Sequence, residues 1–390
     1  MSISGVRSIG ELAQQGALEF GDGYRTKRSE HAVSGYRIIR VADVNGGAIR
    51  FESPDFVSQA FKRSIGGKAG RPGDILLTTK GTVGLVAIVP ELHEPIVYSP
   101  QLCYFRVCDA DVIDPRYLSF WFRSDEFVHQ ASHRMNNTDM AAYINLTDIR
   151  SLILRLPGLD EQRAIAEVLG AVDDKIAANT KLIALLESHT SLEYTAAIAE
   201  AGYATRLEEI AHFHNRKRIP LSAPERDVRP GLVPYYGASG IFGNVDEALF
   251  DEPLVLVGED GSVVKDDGTA VIQYIWGPSW VNNHAHVLTG AGISTELLYV
   301  AIQREQVTML VTGAVQPKIN MGNLKRLELT IPNAESLGKI EALVNAETAS
   351  KRGLFEENRT LAATRDAILP QLMSGKLRVR DAETAVEAVV

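Results

Sequence analysis

Two stretches of the chain repeat one pattern of apolar and polar positions. INLTDIRSLILRLP occupies residues 144–157, and INMGNLKRLELTIP occupies residues 319–332, 175 positions later. Ile, Asn, two Leu and the closing Pro coincide, and Leu146/Met321, Ile149/Leu324 and Arg150/Lys325 differ conservatively. Each stretch stands just before a long run with helical spacing. In the first run Ile165, Leu169, Val172, Ile176, Asn179, Ile183 and Leu186 recur at alternating steps of four and three, the heptad seam of a coiled coil with one polar, register-setting position at Asn179. Asp160 can cap this helix, Glu161 suits its positive end, and Gly202 is a natural stop, giving about 40 residues or roughly 60 Å.

The second run supplies the partner. Leu337, Ile340, Val344, Leu354, Asn358, Leu361 and Ile368 form a similar seam, diluted by Glu347, Lys351 and Arg365. Its end is offset from the first by four further residues, one turn that a coiled coil absorbs as a stutter. Pro370 should end or kink it, and the tail from Arg380 to Val390 is expected to be poorly ordered.

Before each helix lies a strand-rich, Gly-punctuated segment. YRIIRV, DILLTT, LVAIV and LCYFRV read as strands in the first and LVPYYG, PLVLVG, AVIQYIW and NNHAHVL in the second; Pro115 to Phe127 reads as one short helix. The expected organisation is α+β: a mixed domain at 1–157, a helix at 158–202, a second mixed domain at 203–332, a helix at 333–375 and a tail at 376–390. Helices of an internal repeat pair best antiparallel, which gives the chain a pseudo-two-fold axis.

Composition narrows the class. The chain has 390 residues, 45% of them hydrophobic, without an apolar run of membrane-spanning length. The N-terminus lacks the charged and apolar regions of a signal peptide. Cys103 and Cys108, five apart on a strand reading, suit neither a mutual disulfide nor a zinc pair, which points to a reducing, cytoplasmic setting. Net charge is −9, against a nucleic-acid partner on its own, yet in residues 1–80 basic side chains outnumber acidic ones 12 to 8.

The phrases LPGLDEQRAIAEVLGAVDDKI, RPGDILLTTKGTVGLVAIVP, PYYGASGIFG, WVNNHAHVL, QPKINMGNLKRLELTIP and ILPQLMSGKLRV resemble those of the specificity subunit of type I restriction–modification systems. The resemblance runs from about residue 5 to 375. It implies two target-recognition domains separated by two antiparallel helices, each domain reading one half of a bipartite, asymmetric sequence in double-stranded DNA. It implies that the helices set the unread gap and dock two DNA-methyltransferase subunits, which restriction subunits can join. On that resemblance the chain is not an enzyme and binds no cofactor; S-adenosylmethionine, ATP and Mg belong to the partners.

Residue chemistry nominates the contacts. Thr79, Lys80, Gly81 and Thr82 form a loop after a strand, where glycines permit close approach and a lysine and hydroxyls suit phosphate or base edges. Its counterpart, aligned through Gly81 and Gly261, carries Glu259, Asp260 and Ser262 and should accept hydrogen bonds rather than hold phosphate. Tyr236, Ser239, Asn283 and His284 sit in loops similar to those that face DNA in this family. Arg216, Lys217 and Arg218 form the one dense basic cluster of the second domain and are expected at phosphate, with Tyr36 and Arg40 as further candidates.

Two other readings compete. His212/His214 and His284/His286 are H-x-H pairs, and on strands four imidazoles could converge on a metal, as in a metal-dependent enzyme. The seams alone would also suit a coiled-coil adaptor without DNA affinity. No GxxxxGK[ST] loop, methyltransferase signature or nuclease carboxylate cluster is present in the sequence.

Overall fold

The computed structural model describes residues 5–137, 142–313 and 316–389; Met1 to Ser4 and Val390, at the ends of the outermost expected segments, lie outside the described residues. The two matching stretches fold alike. In the first, the Asn145 side chain accepts from the Asp148 amide at 2.9 Å and caps the helix Leu146–Arg150. In the second, Asn320 accepts from Asn323 at 2.9 Å and caps Met321–Lys325. An Asx cap satisfies an amide that the first turn leaves open, so the shared Asn starts the same helix twice. The strands that follow, Ile153–Leu156 and Glu328–Pro332, bury alternate leucines and isoleucines. They pair antiparallel with Gly5–Ser8 and Gly202–Arg206.

The chain divides into two compact units, residues 1–178 with 357–390, and residues 179–356. Each contains a four-stranded antiparallel sheet of matching order and a second four-stranded sheet whose strand order differs between the units. In the first unit one antiparallel sheet has the order Leu18–Asp22, Leu102–Val107, Ile75–Thr78, Val86–Ile88. In the second the order is Ala211–Phe213, Ala285–Gly290, Leu254–Gly258, Ile272–Ile275. Their central strands read as unbroken apolar runs because both faces are covered. Ile75 and Leu77 join one core cluster and Leu76 another; Val255 and Val257 join one, Leu254 and Leu256 another. The remaining sheet of each unit contains a parallel pair, Tyr36–Ile39 with Ile96–Tyr98 and Val233–Tyr236 with Pro278–Val281.

The two long helices are Leu159–Ala201 and Ala334–Met373. In the first unit Ile165, Leu169 and Val172 share a core with Leu361, Ile368, Leu369 and Leu372, and Ile176 packs against it. Arg365 meets Asp173 at 2.8 Å and Lys175 meets Glu357 at 3.2 Å, so one helix advances as the other recedes. The second unit repeats the antiparallel sense: His189 meets Glu347 at 2.5 Å and Lys351 lies 4.0 Å from Glu187. Here Asn179, Ile183, Ile340 and Val344 are buried, while Leu186 and Leu354 are half-buried, as is Asn358 of the first unit.

Four expectations need correction. Of the two outcomes expected at Pro370, an end or a kink, the end does not occur: the second helix continues to Met373, because Leu369, Leu372 and Met373 are all anchored in the core; the ring removes one ladder hydrogen bond without removing that burial. The tail is not without structure: Val379–Glu387 is a helix whose Ala382 and Val386 are buried in the same core. Pro115 to Phe127 is two helices, Pro115–Trp121 and Asp125–Arg134, split where Ser124 caps the second. Gly202 follows the first long helix without a left-handed φ; a Cβ there would lie 2.6 Å from the Ile198 carbonyl oxygen and 2.7 Å from Thr330. Close approach, rather than turn conformation, demands the glycine.

Candidate nucleic-acid interface

One backbone junction occurs in both units. In the first, the Gly81 amide donates to the Ala142 carbonyl at 3.1 Å and the Ile144 amide to that of Thr79 at 3.0 Å. In the second, Gly261 donates to Pro317 at 3.1 Å and Ile319 to Glu259 at 2.9 Å. Gly81 and Gly261 have φ of +83° and +81°, a region that side chains other than glycine adopt at a cost. The loop after the central strand is thus tied to the entry of the repeated Asn-capped helix, twice, in the same way.

The side chains on this shared frame differ. In the first unit Thr79 is buried and its hydroxyl donates to the Gln101 carbonyl at 3.0 Å. Lys80 is exposed and has no ion-pair partner among the described residues, and Gly81 and Thr82 are exposed beside it. A free ammonium at the tip of a backbone-anchored loop is suited to a phosphate. Tyr36 is buried in a core cluster and so leaves the candidate surface, and Arg40 is ion-paired with Asp55.

In the second unit a charged hub replaces the threonine. Glu259 accepts from Arg218 at 2.7 Å and lies 3.3 Å from the Lys318 ammonium. Arg218 also donates to the carbonyls of Ala285 at 2.6 Å and Asn283 at 3.2 Å. Four segments therefore meet at one carboxylate. Burial alone would raise the Glu259 pKa; the Arg218 hydrogen bond, the neighbouring charges and Lys318 outweigh it and hold it below the usual carboxylate range. This corrects the placement of Arg218, which faces inward and is not open to phosphate; Arg216 and Lys217 are exposed, Lys217 over the Phe250 ring. Asp260 is paired with His284, next in sequence to the exposed Asn283; Ser262 and Ser239 are also exposed, and Tyr236 is half-buried.

The imidazoles have separate partners. Asn215 accepts from the Val287 amide at 3.0 Å, so its other side-chain atom is the donor that reaches His286 Nδ1 at 2.8 Å. His286 Nε2 must then carry the proton, which it donates to the Ile319 carbonyl at 2.7 Å. This neutral tautomer turns no proton toward Glu259, 3.6 Å away. His214 bonds Thr289 at 2.8 Å, His284 bonds Asp260, and His212 is exposed. Among the described residues no three His, Cys, Asp or Glu side chains form a metal-holding group, and the metal-enzyme reading has no site.

Burial lowers the pKa of His286, and burial likewise lowers that of His214. The unfolded chain therefore binds more protons than the folded chain below the ordinary histidine value of about 6.5. Stability from these groups is complete above that value and is lost as pH falls through it. The exposed His189, raised by its Glu347 hydrogen bond, titrates in the opposite sense, so a variant isolates the effect. Denaturant titrations between about pH 7 and 5 should show falling stability, with a shallower slope in His286→Gln; an unchanged slope would contradict the buried neutral assignment.

The hub was not legible in the sequence motifs. Nothing local signals that Lys318 and Arg218, 100 positions apart, close on Glu259. The only hint is that GEDGS, NNHAH and QPKIN fall at matching places in the repeat.

Comparison with known proteins gives a consistent picture. The family model of the type I restriction modification DNA specificity domain matches residues 4–188 and 204–342. A type I restriction enzyme specificity subunit of Haemophilus influenzae is 30% identical over 144 residues, covering 37% of this chain and 36% of that one. This chain thus spans little more than a third of that relative. A Methanocaldococcus jannaschii type I specificity subunit is 22% identical over 92% of this chain and 91% of its own length. The crystal structure of the type I restriction–modification S subunit from M. genitalium shares the fold, with a TM-score of 0.57 at 16% identity over 95% of this chain and 96% of that one.

Proposed function

Because the chain belongs to the type I restriction–modification DNA specificity family, we propose that it is the non-catalytic subunit that selects DNA for such a complex. Each unit reads one half of a bipartite target in double-stranded DNA. The observation that carries this is the duplicated junction: one rigid backbone frame, anchored at Gly81 and Gly261, presenting different side chains. A common frame with Lys80 and Thr82 in one copy and Asp260, Ser262 and His284 in the other is what two readers of different sequences require. An adaptor without DNA affinity has no use for such divergence on a conserved-geometry loop.

Methylation and restriction then belong to partner subunits, which use S-adenosylmethionine, ATP and Mg. Leu182, Leu185 and Leu192 stand exposed at helical spacing on one face of the first long helix, a stripe suited to a helix of a methyltransferase subunit. On this reading, residues added to matched positions of the two helices alter the unread gap and leave the half-sites unchanged. No described helix is long and apolar enough to cross a membrane.

Lys80 gives the direct test. Lys80→Ala in the assembled complex should weaken DNA binding across sequences and reduce the slope of log affinity against log salt by about one. An unchanged slope, measured by binding at several salt concentrations, would remove Lys80 from the phosphate contacts.

A further inference from the structure

Within the second unit a cavity of about 490 Å³ opens beside the hairpin that carries Tyr236 and Gly240. Four aromatic rings run along it. Tyr299 and Tyr274 have centroids 5.7 Å apart, Tyr274 and Trp276 6.0 Å, and Trp276 and Phe355 6.0 Å. Phe355 is nearly half exposed. Two cations line the same cavity, Lys351 and Arg352. The Lys351 side chain is only 12% exposed, yet its nearest carboxylate, Glu187, is 4.0 Å away. Arg352 lies 3.9 Å from Glu296, which already accepts from the Tyr274 hydroxyl at 2.7 Å.

Neither cation makes a hydrogen bond to a described residue. Neither cationic group is shut off from solvent, so both stand open to an acceptor that enters the cavity. Partial burial lowers the pKa of Lys351. In the first unit, by contrast, the helix arginine Arg365 is engaged by Asp173 at 2.8 Å. Open aromatic faces beside under-partnered cations are complementary to a planar aromatic anion: ring faces accept a base, and ammonium and guanidinium accept a phosphate.

We propose that this cavity is a nucleotide-binding site, with the base stacked on Trp276 and Phe355 and the phosphate at Lys351 and Arg352. The exposed Glu187 carboxylate at the rim supplies an acceptor for an amino-bearing base. The nucleotide comes either free or as an unstacked residue of a DNA strand, since the cavity adjoins the Tyr236–Gly240 hairpin. The site does not depend on the assignment of Lys80 or of the reading loops.

Isothermal titration of the full chain with 2′-deoxyadenosine 5′-monophosphate tests it. Saturable binding is expected, with inorganic phosphate at least about tenfold weaker because it lacks the stacking contribution. Lys351→Met and Phe355→Ala should each weaken binding about tenfold, with unchanged circular dichroism. Should Lys351→Met misfold, Arg352→Met serves in its place. Trp276 offers a second readout, since Trp121 and Trp280 are buried: its fluorescence should change on saturation. Competition by a single-stranded oligonucleotide upholds the site and assigns it to a DNA strand; binding of the mononucleotide without such competition upholds it for the free nucleotide. Absence of saturable heat, phosphate binding as tightly as the nucleotide, or unaltered affinity in both variants would overturn it. Duplex binding, measured separately, reports on the reading loops and is not decided by any of these results.

Discussion

Asp74→Ala is expected to cost the first unit about 3–5 kcal/mol, because it removes the fully buried carboxylate that engages Arg106 twice and leaves only the half-exposed Glu19, 3.4 Å away, as a counter-charge. Asp74 is fully buried and sits at the start of the strand Ile75–Thr78. Its Oδ1 accepts from Arg106 Nε at 2.7 Å, and its Oδ2 accepts from Arg106 Nη2 at 2.8 Å, the Tyr98 hydroxyl at 2.7 Å and the Arg71 amide at 3.0 Å. Both oxygens of the carboxylate are thereby engaged, the condition under which a buried pair is tolerated. Arg106 adds bonds to the carbonyls of Gly67 and Ala69 and to Glu19, which hold the guanidinium in place when Asp74 is removed. Denaturant unfolding followed through Trp121, which lies in this unit's core, reads the loss. The pair Asp74→Ala with Arg106→Met should recover part of it, since replacing both partners by apolar groups is far less damaging than orphaning one. A loss below about 1 kcal/mol in the single variant, the scale of an exposed ion pair, would show that Arg106 is better solvated than the structure places it.

Arg218→Ala should weaken DNA binding by about tenfold or more while leaving the salt slope intact. The guanidinium joins Glu259 to the carbonyls of Asn283 and Ala285. Its loss takes the Arg218 donor from the buried Ala285 carbonyl, from the Asn283 carbonyl and from Glu259, which keeps only Lys318 at 3.3 Å; a buried acceptor left unsatisfied costs about 1–3 kcal/mol. The half-buried Asp260 and the exposed Ser262 and His284 would then lose the frame that presents them. A residue that acts through the frame releases no counterions on binding, whereas a phosphate contact contributes about one to the slope. Binding at several salt concentrations therefore separates Arg218→Ala from Lys80→Ala. A slope reduced by about one in Arg218→Ala would return this arginine to the phosphate contacts.

That outcome for Arg218 illustrates what local sequence conveys. The repeat was legible because it is written in backbone requirements. Gly81 and Gly261 need the same positive φ, and Asn145 and Asn320 cap the same helix. The heptad seam was legible for the same reason, since Ile165, Leu169 and Val172 reach the core by spacing alone. The direction of a charged side chain is different. Arg216, Lys217 and Arg218 look equivalent in sequence, yet only Arg218 finds Glu259, 41 positions away. Tyr36 looked like a surface aromatic because its burial depends on Val57 and Val97, which lie in separate strands. The helix past Pro370 and the tail helix were missed because distant apolar contacts, not local propensity, hold them.

The account rests on two equivalent readers working on separate half-sites. Its most direct measurement is methylation-site sequencing of DNA from cells that carry the complete system, before and after residues 1–157 are exchanged for the matching segment of another family member. The duplicated-reader account predicts that one half of the methylated motif changes while the other half and the gap persist. A motif altered in both halves, or in neither, would contradict it.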